Sequence, residues 1–148
     1  MAVTTVTRST PATPEEAFDF IADFTTSQLW DPGIAEAKRL DEGPIGLGSR
    51  FEVRYRAGLV KVPLVYEITR YERPDHLVLS TLGVAHHGED DVHFSATSEG
   101  THVVWNATFG LRGPGRLLDP LLQRGFPKVA DKAGDGLKER LDEVSRQK

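Results

Sequence analysis

Residues 117–144 read LLDPLLQRGFPKVADKAGDGLKERLDEV. Leu118, Leu122, Phe126, Val129, Ala133, Leu137, Leu141 and Val144 recur at steps of three and four, which places them on one face of an α-helix. Lys128, Asp131, Lys132, Asp135, Lys138, Glu139 and Asp142 take the remaining positions and predict a wet face. A helix this long must bury its stripe, and the chain before it supplies a sheet to receive it. The helix also carries breaks. Asp119-Pro120 forms an N-cap and first-turn pair, and Pro127 removes a backbone bond, predicting a kink or restart just after Gly125. Gly134 and Gly136 each cost about 1 kcal/mol relative to alanine and loosen the middle. The expectation is a bent, mobile cover over 118–129, anchored by 137–144.

Working outward, the preceding sixty residues switch to a period of two. Phe51, Val53 and Tyr55 alternate with Arg50, Glu52, Arg54 and Arg56, a half-buried strand with its arginines toward solvent. A turn at Ala57-Gly58 sets Tyr55 against Val60, Val53 against Val62 and Phe51 against Leu64. The turn at 72–75 sets Ile68 against Leu79 and Tyr66 against Thr81. The loop at 97–100 sets Phe94 against Val103, Val92 against Trp105 and Asp90 against Ala107. Each hairpin keeps one apolar face, so three independent turns agree. Further upstream, 3–9 reads as a strand and 34–40 as another. Between them, Thr13-Pro14-Glu15-Glu16 is a capping box that starts a helix, and a second short helix covers 25–30 until Asp31-Pro32-Gly33 stops it. The predicted order is strand, two helices, six antiparallel strands, long helix. It describes an α+β fold with a curved antiparallel sheet of about seven strands wrapped around the C-terminal helix.

A chain of 148 residues fits one domain, 1–148, able to bury about 68–70% of its unfolded surface. It has no cysteine, which removes disulfides, thiolate zinc ligands and thiol nucleophiles. The opening MAVTTVTRST lacks a basic start followed by an apolar run, so no secretory signal is expected and the expected location is cytoplasmic. Apolar runs fall far below the ~20 residues that span a bilayer, so no stable membrane insertion is expected. A formal net charge of −4 with mixed signs argues against nucleic acid as a partner.

Several segments together resemble a known family. They are 14–23 (PEEAFDFIAD), Trp30-Asp31-Pro32, 43–51 (GPIGLGSRF), 66–72 (YEITRYE) and 111–114 (LRGP) before the helix. The chain resembles the START-like, helix-grip superfamily (SRPBCC, birch-pollen-allergen-like), in its polyketide cyclase/dehydrase and lipid-transport branch. The resemblance spans essentially the whole chain. It implies a deep hydrophobic cavity between sheet and last helix. A small hydrophobic or amphipathic ligand, a monomer or weak homodimer, and no cofactor are expected.

On that reading the cavity is lined by Trp30, Phe51, Val53, Tyr55, Leu64, Tyr66, Leu79, Thr81, Asp90, Val92, Trp105, Phe109, Leu122, Phe126 and Val129. Tyr66, Thr81, Asp90 and Trp105 would orient the ligand. Binding or carriage is the leading function, and an aromatase/cyclase-type enzyme using the same cavity is the alternative. Asp90 and Tyr66 are the only catalytic candidates, Asp90 because a carboxylate on the face of Val92 and Phe94 is costly unless paired or protonated. The serines lack a nucleophile-elbow context, and 43–48 precedes a strand and lacks a phosphate-loop lysine. The run His86-His87-Gly88-Glu89-Asp90-Asp91-Val92-His93 is rich in ligand types. However, His87, Glu89, Asp91 and His93 face away from Val92, and alternate residues lie ~7 Å apart. No metal site is assigned there; one would need a recruit such as His102.

Overall fold

The computed structural model describes residues 1–147. The Val/Thr-rich start forms β1 (Ala2–Thr10), with Ala2, Thr4, Val6, Arg8 and Thr10 on its less exposed face. Helix α1 (Pro14–Ala22) opens with both halves of its capping box: Glu16 N–H donates to Thr13 Oγ1 at 3.1 Å, and Thr13 N–H donates to Glu16 Oε1 at 2.9 Å. The second short helix is split into a 3₁₀ turn, Phe24–Thr26, and α2 (Ser27–Trp30). Six strands follow: β2 (Ile34–Arg39), β3 (Arg50–Ala57), β4 (Val60–Glu72), β5 (His76–Leu82), β6 (His86–Thr97) and β7 (Gly100–Leu111). A 3₁₀ segment, Gly113–Leu118, leads into α3 (Asp119–Arg146).

All seven strands join one antiparallel sheet in the order β1-β7-β6-β5-β4-β3-β2. The hairpins β4–β5 and β6–β7 pair as expected, with Ile68 opposite Leu79, Tyr66 opposite Thr81 and Asp90 opposite Ala107. The β3–β4 hairpin is two residues out. Ala57 pairs with Val60, so the turn is Gly58-Leu59 with Gly58 at φ 64°, and Tyr55, Val53 and Phe51 oppose Val62, Leu64 and Tyr66. A two-residue slip preserves side-chain parity, so the inward face is the one expected despite the shifted turn.

The inward faces of β3 to β6 supply Phe51, Val53, Ile68, Leu77, Leu79 and Val92, all at 1% exposure or less, and α1 packs Phe18 and Ile21 among them. From α3 only Ala133, Gly134, Leu137 and Leu141 are buried. The stripe is therefore half used: Leu118 is 51% and Val129 38% exposed, and Leu122, Phe126 and Val144 are half-buried.

The reason lies in how α3 is seated. A Cβ on Gly136 would overlap the Trp30 carbonyl oxygen, and one on Gly134 would lie 2.6 Å from Val6 Cγ1 and 3.2 Å from Arg8 Cζ. Both glycines are points of close approach, to α2 and to β1, rather than the loosening elements the sequence suggested. Arg8 Nη2 adds bonds to Asp131 Oδ1 (2.7 Å), Asp135 Oδ1 (2.9 Å) and the Asp131 carbonyl (3.1 Å). Seating is thus concentrated in the second half, and the first half stands over the sheet with Leu121 exposed and Leu122 half-buried. The helix runs unbroken through Pro127. Asp119 is not an N-cap: it is already helical (φ −54°, ψ −41°), and its carboxylate accepts from the Met1 ammonium at 3.0 Å. Among the described residues no helix is long and apolar enough to cross a membrane.

Candidate functional site

Antiparallel pairing puts Asp90 of β6 on the inward face opposite small Ala107, which leaves space above the carboxylate. Two residues on, Val92 pairs with Trp105, whose indole therefore lies diagonal to Asp90. Trp105 Nε1 donates to Asp90 Oδ1 at 3.1 Å. Trp30, at the end of α2, meets Trp105 edge-on with ring centroids 5.3 Å apart, and its own N–H donates to Thr26 Oγ1 at 3.3 Å. Phe24 stacks at a tilt on Tyr66, centroids 5.2 Å apart. Tyr55 lies against Gly33, where a Cβ would come within 2.6 Å of its hydroxyl, and so caps the Asp31-Pro32-Gly33 turn.

These groups line a pocket of about 100 Å³ between the sheet and α3, closed on the helix side by Phe126, Val129, Ala130, Ala133, Gly134 and Leu137. That is smaller than the roughly 300–1,000 Å³ of pockets that enclose drug-sized ligands. A larger occupant requires part of the cover to move, and Phe126, Val129 and Ala130 belong to the less buried half of α3.

The electrostatics are one-sided. Burial pushes the Asp90 carboxyl up to about 7; the Trp105 N–H pulls it back, and the charges of Asp31 and Glu89 push it further up. Burial also lifts Asp31 to about 6, against the hydrogen bond it accepts from Gly33 N–H at 2.8 Å. Tyr55 and Tyr66 are raised by burial and by both carboxylates, so each remains a neutral phenol. Among the described residues lining the pocket, Arg8 is the only basic one, and its guanidinium is held by Asp131 and Asp135. The pocket thus offers an aromatic wall, two carboxyls near neutrality and no free cation.

Of the residues expected in the cavity, Trp30, Tyr55, Tyr66, Asp90, Trp105, Phe109, Phe126 and Val129 line this pocket. Phe51, Val53, Leu64, Leu79 and Val92 face inward but are buried in the packed core instead. The concave face has two covers: α1 and the 3₁₀ turn fill one part solidly, and α3 leaves space over the other. Thr81 is half-buried outside the pocket, its hydroxyl donating to the Gly88 carbonyl at 3.4 Å, and Leu122 also lies outside it. Sequence alone marks Asp31 only as a helix stop, although it sits inside the quoted Trp30-Asp31-Pro32 segment. It also misses Phe24 and Arg8 as lining residues.

On the outer face, Asp91 and His93 do converge: His93 Nε2 lies 3.1 Å from Asp91 Oδ1. The recruit beside them is His76 rather than His102, whose Nδ1 is 3.2 Å from Ser9 Oγ on β1.

A family model described as polyketide cyclase/dehydrase and lipid transport matches residues 1–142. No curated protein sequence matches the chain. Among solved structures, TTHA0849 from Thermus thermophilus superposes with a TM-score of 0.78 at 22% identity, covering 94% of this chain and 96% of that one. A START superfamily protein from Mycobacterium smegmatis also gives 0.78, at 12% identity with 97% and 99% covered. Ara h 8.0201 gives 0.68 at 15% identity with 94% and 96% covered. At these identities the superpositions establish the fold, a helix-grip arrangement shared with START-like proteins. The family match spans nearly the whole sequence, and the chain belongs to the polyketide cyclase/dehydrase and lipid transport family.

Proposed function

We propose that this chain is a single binding domain that carries a small amphipathic molecule between the sheet and α3, in the cytoplasm and without a cofactor. One observation carries the reading: the Asp90–Trp105 pair is set among aromatic rings in a pocket covered in part by the less buried half of α3. Apolar burial supplies affinity at ~25 cal/mol per Å² before ordering costs. The two carboxyls and the absence of a free cation favour a ligand whose polar end donates hydrogen bonds or carries positive charge. A ring face attracts cations as well. We take the protein to act as a monomer or weak homodimer, and the net charge of −4 disfavours nucleic acid.

A second reading rests on Asp90 alone. A carboxyl at about 7, in reach of a bound molecule and near Tyr66, is suited to general acid–base work, as an aromatase/cyclase-type dehydration would require. Native mass spectrometry of protein purified from its own host, followed by extraction, separates the two. Recovery of one defined amphipathic compound supports carriage. Turnover of an added polyketide that is lost in Asp90→Asn supports catalysis, and an empty protein inert to both defeats both readings.

A further inference from the structure

The opposite face of the same strands holds a second cluster that the pocket does not use. We propose that His76, Asp91 and His93 form a binding site for a divalent transition-metal ion, best suited to zinc, on the outer face of the sheet.

The register builds the site. His76 of β5 lies directly opposite His93 of β6, and Asp91 is two residues along β6, so all three side chains leave the same face. The alternation that points Asp90 into the pocket points Asp91 outward, so the two sites lie on opposite sides of one strand. The imidazoles stack with centroids 4.0 Å apart, 21° from parallel, and both direct Nε2 at one carboxylate oxygen. His76 Nε2 is 2.6 Å and His93 Nε2 3.1 Å from Asp91 Oδ1, and one donor atom from each residue falls within 4.8 Å of the others.

Zinc held by nitrogen and oxygen at its usual ~2.0–2.1 Å spaces tetrahedral ligand atoms roughly 3.3 Å apart. The 3.1 Å spacing lies close to that and the 2.6 Å spacing is roughly 0.7 Å shorter, so side-chain rotations that open the cluster admit the ion. Two imidazoles and a carboxylate form a donor set that zinc favours over magnesium or calcium. The neighbouring charge is occupied: Arg70 of β4, opposite Val78 of β5, donates from Nη1 to Glu72 Oε1 at 2.7 Å. The His93 and Asp91 side chains are 48% and 33% exposed, which leaves the fourth position to water and the ion free to exchange. A bound ion would bridge β5 and β6 without touching a pocket residue.

The test is calorimetric titration of zinc into the full chain carrying no affinity tag, paired with thermal melts. One ion per chain and a higher Tm with zinc are expected. His76→Ala and His93→Ala should each weaken binding at least about tenfold and abolish the Tm rise. His102→Ala, on β7 with its Nδ1 3.2 Å from Ser9 Oγ of β1, should bind as the parent does. Absence of saturable zinc binding would overturn the proposal, as would equal binding by His76→Ala and His93→Ala to that of the parent. If His76→Ala fails to fold, the half-exposed His93 carries the comparison. Zinc-dependent shifts of the His76 and His93 ring protons, and not those of His86, His87 or His102, then locate the ion in the parent protein.

Discussion

Trp105 donates its indole N–H to Asp90 Oδ1 at 3.1 Å on the concave face, where the residue opposite Asp90 is Ala107. One donor does not replace the hydration lost by the half-buried Asp90 carboxylate, and desolvation moves it from 3.8 to about 7. Between those values the folded chain holds a proton that the unfolded chain has released. The contribution to stability is therefore fully present below about pH 4 and is lost as pH rises through about 7. The loss attributable to Asp90 is on the order of 4 kcal/mol at most. Asp90→Asn keeps an acceptor for Trp105 and removes the titration. Its Tm should match the parent at pH 4 and exceed it at about pH 8. Parallel Tm–pH curves for the two proteins would remove Asp90 from this role.

The glycines of α3 separate two effects that sequence alone merges. Gly125 has no atom within 4 Å of a would-be Cβ, whereas Gly136 faces the Trp30 carbonyl. Gly125→Ala should stabilise by up to about 1 kcal/mol through helix propensity. Gly136→Ala should destabilise by about 1–3 kcal/mol as α3 is pushed off α2. Urea unfolding measures both, and equal signs would contradict this seating of the helix.

Pro127 sits inside the cover, between Phe126 and Val129 of the pocket wall. Replacing it with alanine restores a backbone donor and should stiffen residues 118–129. Amide exchange there should slow, and a bound ligand should leave more slowly. Exchange of both kinds unchanged from the parent would refute a gate in this segment.

The sheet is largely legible in the sequence because parity errors are conspicuous: a one-residue slip would turn Val92 and Phe94 outward. The β3–β4 slip escapes that check because it is even, set by Gly58 rather than Ala57 opening the turn. Asp90 can be placed because its partner Ala107 follows from a short loop. Asp31 cannot, since its place in the pocket lining depends on how the turn after α2 packs, and His76 cannot, since its neighbours belong to another strand. Periodicity also says which residues face inward but not which cover lies above them. Hence Phe51, Val53, Leu64, Leu79 and Val92 are expected in the cavity, whereas α1 and the 3₁₀ turn bury them in core. The glycines at 134 and 136 look like weak points for the same reason: only packing reveals that an absent side chain is a contact.

Trp30 and Trp105 are the only two tryptophans in the sequence, and both line the pocket in mutual contact. Tryptophan emission is therefore a direct reading of pocket occupancy. The extracted protein should be titrated with dodecylamine below its micellar concentration, and in parallel with dodecanoate of equal chain length. The expected result is a saturable shift in emission at one dodecylamine per chain, weaker with dodecanoate, and diminished in Asp90→Ala. Emission that neither compound alters would contradict a ligand-binding pocket between the sheet and α3.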